Sequence, residues 1–186
     1  GAGHISSDEA TAFYSMAISV VTVIVALIGP IVGTLSDHRD KKKIFFTSCV
    51  FLGIIGCVST GFTSNWVLFL VLFVVTKVCY SASLTIYDSM LGDITREERM
   101  DKVSSYGYAW GYIGSCIPFT VALIAYVLGP DMVGILPDNI SKFIGFGVTA
   151  LWWLVVTLPL LKNYKQKNYV EWDKITVKQT FSKIFS

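Results

Sequence analysis

Charge is scarce in this sequence. Only 15% of its 186 residues are Asp, Glu, Lys or Arg, where a soluble domain carries about 25%. Such a chain is poorly equipped to present a charged shell to water. Its 53% hydrophobic content and mean hydropathy of +0.60 point to lipid as its solvent. The net charge is only +2, a balance that does not suggest a nucleic-acid partner.

Metal ligands and catalytic sets are scarce too. His4 and His38 are the two histidines, and Cys49, Cys57, Cys79 and Cys116 all lie within apolar runs without metal-ligand spacing. The cysteines read as small buried hydrophobes rather than disulfides or ligands, and no metal or other cofactor is expected. The sequence lacks a glycine-rich phosphate loop and an exposed Ser/His/Asp set, which argues against an enzyme. Its start, GAGHISSDEATAF, lacks the basic and apolar regions of a signal peptide. That start resembles the tail of a loop, so the chain is expected to be a fragment.

Long apolar runs are what the sequence has in plenty. A bilayer core needs about 20 mostly apolar residues in a helix. Five runs meet this, at residues 12–35, 44–62, 66–91, 103–128 and 141–161. None alternates as a barrel strand would, and helices satisfy their own backbone in lipid. The expected fold is all-α, a polytopic bundle of five transmembrane helices.

Thirteen of the fifteen basic residues fall on one side of these spans. Arg39, Lys41, Lys42 and Lys43 follow the first, Arg96, Arg99 and Lys102 follow the third, and six lysines follow the fifth. The positive-inside rule makes that side cytoplasmic. The tail after the fifth span suits either a surface helix or a linker to a further span.

The third span carries Lys77 and Asp88 within apolar sequence. An ionisable residue at membrane depth is costly, and marks a functional site by default. The 11-residue separation returns both to nearly one helix face, about 16 Å apart along the axis, so they cannot pair. Tyr80, Ser81 and Leu84 share the stripe, which suggests one wall of a water-filled cavity. Two plainer alternatives compete: Lys77 ties the span to a partner helix, and Asp88 is solvated near the cytoplasm.

The turn after the third span concentrates charge, with Asp93, Arg96, Glu97, Glu98, Arg99, Asp101 and Lys102 in one ten-residue window. Solvation, or salt bridges to the first turn, accounts for it better than acid/base chemistry. Beyond it, Gly107, Gly111 and Ser115 recur every four residues, a small-residue face for close helix contact. Tyr112 lies two turns inside the fourth span and is a further cavity candidate. Pro118 is expected to kink that span.

The first charged turn, GTLSDHRDKKK, resembles the loop G-x-L-x-D-R-x-G-R-K between the second and third helices of the major facilitator superfamily. Gly33, Leu35, Asp37, Lys41 and Lys42 fall on the pattern, while His38 replaces a basic residue and Asp40 the second glycine. The resemblance implies a cytoplasmic gate made by Gly33, Asp37, Arg39 and Lys41. The run EERMDKVSSYGYAWGYIGS resembles, within that superfamily, the UMF1 (Atg22-like vacuole effluxer) family. Glu98, Arg99, Val103, Ser104, Gly107, Ala109, Gly111, Tyr112 and Gly114 carry this resemblance.

The resemblance implies helices two to six of a twelve-helix transporter, in the N-terminal half without its first helix. Residues 162–186 would then be a cytoplasmic linker toward a missing C-terminal half. The partners it implies are a small solute, a coupling ion, the bilayer and that other half. Amino acids are the solutes associated with fungal members. A cell membrane is the expected location, or the vacuolar membrane in a eukaryote. The competing expectation is a non-transporting membrane scaffold whose charged turns bind a cytoplasmic protein.

Overall fold

A computed structural model of the chain describes residues 7–169. They form five long helices: α1 (Ser7–Ser36), α2 (Lys41–Phe62), α3 (Trp66–Ile94), α4 (Met100–Val127) and α5 (Asp138–Asn163). A single 3-10 turn, Glu97–Arg99, leads into α4. All five are long and apolar enough to cross a membrane. Each extends a few residues past its apolar run, because charged residues at the water boundary continue the helix instead of ending it. α4 runs unbroken through Pro118.

Neighbours in contact follow the order α1, α3, α2, α5, α4. α2 sits at the centre because its small residues let two helices close in. A methyl group on Gly53 would overlap the indole of Trp153 on α5, and one on Gly56 would overlap Thr76 Oγ1 on α3. Gly61 gives Phe146 of α5 similar access. Without a hydrophobic force between helices in lipid, this backbone proximity supplies the van der Waals attraction.

The turn between α2 and α3 is short and capped. Asn65 accepts hydrogen bonds from Val67 N (2.9 Å) and Leu68 N (3.3 Å), satisfying two of the open amides of α3. At the same end, Ser141 Oγ of α5 donates to the Ala125 carbonyl of α4 at 2.7 Å. Most large apolar side chains face outward, which lipid permits and water would not.

Among the described residues, buried apolar side chains cluster toward the basic end. Phe46 and Val50 of α2, Ile86 and Met90 of α3, and Tyr164 just beyond α5 form the cluster. Among the cysteines, Cys57 is buried, Cys49 and Cys79 are half-buried, and Cys116 is exposed on α4. Cys116 therefore departs from the expectation of four buried thiols.

Candidate functional site

Two arrangements stand out, one at the basic end and one in the depth of α3. The first begins with the spacing of α2. Lys42, Phe46, Val50 and Gly53 recur at helical intervals and are all buried. On α3, Ile86, Met90 and Asp93 do the same. Each inward stripe thus ends in a charged residue, and the two ends meet. Lys42 Nζ lies 3.5 Å from Asp93 Oδ2, 3.4 Å from Asp37 Oδ1 and 3.3 Å from the Ser89 carbonyl.

Asp93 has a fully buried side chain, a cost that only a complete set of donors offsets. The segment after α5 supplies most of them. Tyr164 donates its hydroxyl to Oδ2, while the amides of Lys167 (3.2 Å) and Asn168 (2.7 Å) donate to Oδ1. Asn168 Nδ2 also reaches the Gly92 carbonyl at 3.0 Å, and Gln166 Nε2 reaches the His38 carbonyl at 3.1 Å. Residues 164–169 are therefore not helical but strapped across the ends of α2 and α3. Residues 170–186, the rest of the expected surface helix or linker, lie outside the described residues.

Burial, and then the bond to the Asp93 carboxylate, hold the Tyr164 hydroxyl far above the usual phenol range. It stays a donor at any physiological pH.

The residues expected to form a gate divide. Asp37 joins the clamp, but the lysine that meets it is Lys42, whereas Lys41 points into solvent. Arg39 lies 3.8 Å from Asp40 and 5.3 Å from the Tyr169 ring centre. A Cβ on Gly33 would meet no atom within 4 Å among the described residues. Asp40, standing where the superfamily pattern has glycine, has φ of 60°. This left-handed conformation is why glycine suits the position, and Asp is among the few residues that tolerate it. The charged turn divides between its two expectations: Arg96, Glu97, Glu98 and Arg99 are exposed, whereas Asp93 is enclosed and pairs with Lys42 of the first turn.

The second arrangement is the α3 stripe. Lys77 is exposed, with its ammonium 5.3 Å from the Tyr80 ring centre. Tyr80 in turn meets Trp153 edge-on at 5.6 Å, and Trp153 rests on Gly53. Asp88 is exposed nearer the basic end. Tyr112, on α4, is 75% exposed, and no ring contact or hydrogen bond ties it to the stripe among the described residues. Gly107 and Gly111 face no atom within 4 Å, and Ser115 Oγ bonds only back to the Tyr112 carbonyl at 2.8 Å. The small-residue face of α4 is thus open among the described residues.

The profile of the Major Facilitator Superfamily matches residues 4–185. The chain belongs to that superfamily. It is an integral, multi-pass membrane protein with an all-helical fold, and the superfamily points to non-enzymatic transport. It is similar to an uncharacterized MFS-type transporter, YxiO, of Bacillus subtilis (strain 168), at 31% identity over 182 residues. The match covers 97% of this chain and 42% of that relative, so the chain spans less than half the relative's length. No solved structure matches it.

Proposed function

We propose that the chain is part of a secondary transporter that moves a small solute across the bilayer by alternating access. The observation that carries this is Lys77. α3 has 29 residues, about 43 Å at 1.5 Å per residue. Lys77 stands 11 positions from its start, roughly 16 Å along that axis, well inside a hydrocarbon core of about 30 Å. An ammonium facing lipid there would cost at least about 2.5 kcal/mol. A water-filled cavity removes that cost, and the stripe of Lys77, Tyr80, Ser81 and Asp88 supplies one wall of it. Tyr112 is assigned to another wall.

The clamp of Asp37, Lys42 and Asp93 is assigned to the cytoplasmic gate, with Gly33, Arg39 and Lys41 around it. Gly107, Gly111 and Ser115 form the face on which α4 meets a helix of the rest of the transporter. The five helices take the places of helices two to six in the N-terminal half, and the strapped segment begins the linker to the C-terminal half. The Atg22-like resemblance makes amino acids a solute class to test first, with a coupling ion. Flux into vesicles holding the full-length protein is the test, over a panel of amino acids, carboxylates, sugars and cations. Uptake of one class above protein-free vesicles supports the proposal. A folded protein inert to the whole panel favours a scaffold.

A further inference from the structure

The charges of the five helices are distributed unevenly with depth. Asp8, Glu9, Lys41, Lys42, Lys43, Asp93, Asp101, Lys102, Asp138, Lys142 and Lys162 all lie within about a turn of a helix end. Asp88 is six residues from the end of α3. Among the described residues, Lys77 is therefore the one formal charge in the middle turns of any helix. No carboxylate pairs with it there, and Asp88 is about 16 Å away along the axis. The wall that this stripe supplies carries a single positive charge at mid-depth.

What lies beside that charge is aromatic. Tyr80 turns its ring toward the ammonium, and Trp153 supports Tyr80 edge-on. Trp153 cannot retreat without losing its seat on Gly53, so the two rings form a fixed apolar shelf beside Lys77. From this, and resting on the transporter reading above, we infer that the solute is an organic monocarboxylate, its carboxylate on Lys77 and its apolar body along Tyr80 and Trp153. One cation balances one anionic charge, whereas a phosphate dianion calls for a second cation, which the stripe lacks. A zwitterion's ammonium lies beside its own carboxylate, and the stripe offers no acidic group at that depth to receive it. This sets monocarboxylates ahead of the amino acids that the family resemblance suggests.

The test works while the solute is still unidentified. In full-length protein freed of its native cysteines, Tyr80→Cys, Ser81→Cys and Leu84→Cys are each treated with two methanethiosulfonate reagents, one anionic and one cationic. Each rate is divided by that reagent's rate with a small free thiol. Preference for the anionic reagent by at least threefold, abolished by Lys77→Gln and kept by Lys77→Arg, is the expected result at one or more positions. Acetate, lactate or benzoate should slow the reaction while inorganic phosphate, glycine and choline do not.

Reaction without charge preference, or with cationic preference, overturns the monocarboxylate and leaves the cavity standing. Protection by phosphate, glycine or choline, or by none of the carboxylates, overturns it as well. Failure of all three positions to react removes the cavity and the inference together.

Discussion

Asp93 and Tyr164 are 71 residues apart in sequence and share a buried hydrogen bond at the basic end of the bundle. The tyrosine does two jobs there: its ring completes the apolar cluster with Phe46, Val50, Ile86 and Met90, and its hydroxyl serves the carboxylate. Tyr164→Phe keeps the first and removes the second. It should cost about 1–3 kcal/mol, the penalty for leaving a buried acceptor short of a donor. Tyr164→Ala loses both and should cost about 3–5 kcal/mol. Thermal unfolding of the full-length protein in detergent checks the order of the two.

The raised phenol pKa of Tyr164 makes a pH prediction with a definite sign. In the unfolded chain a tyrosine ionises near pH 10, while in the clamp it holds its proton to higher pH. Its contribution is thus complete below about pH 10 and declines above it. The stability difference between the wild type and Tyr164→Phe should be flat from pH 7 to about 9.5 and shrink beyond. A difference that grows with alkalinity would contradict the assignment.

Adjacent lysines should behave differently. Lys42→Met leaves the buried Asp93 without its cation and should cost about 3 kcal/mol or more. Lys41→Met changes an exposed side chain and should stay within about 0.5 kcal/mol of wild type. Equal effects from the two would contradict the placement of Lys42 in the clamp.

Asp40 offers a backbone test of the same turn. Its φ of 60° is costly for a β-branched residue, so Asp40→Val should lose about 1–2 kcal/mol. Asp40→Gly should lose nothing, since glycine takes this conformation freely. Circular dichroism melts of the two variants decide it.

The helices were legible because lipid imposes a simple demand, apolar length, that all five runs meet. Their ends were less so, since Asp8, Lys41 and Asp138 continue helices beyond the apolar stretch. The clamp was half legible. Lys42 extends the Phe46–Val50 stripe and Asp93 the Ile86–Met90 stripe, and counting by helical periods would have separated Lys42 from Lys41. Tyr164 had no comparable signal, because its partner is remote in sequence and the lysines around it mark the tail mainly by charge. The importance of Gly53 and Gly56 was hidden for a similar reason: a glycine's value lies in the Trp153 or Thr76 that approaches it. Lys77 was legible as unusual from its apolar surroundings, but the support that Trp153 gives the Tyr80 ring beside it needed the packing of α5.

Solute movement, as proposed, depends on Lys77 facing water inside the membrane. Uptake by full-length Lys77→Ala in reconstituted vesicles, on whichever solute the wild type carries, tests that most directly. A loss of at least tenfold is expected, with folding judged by a monodisperse, cooperatively melting protein and Glu97→Ala, on the exposed turn before α4, close to wild type. Unchanged uptake by Lys77→Ala would contradict it.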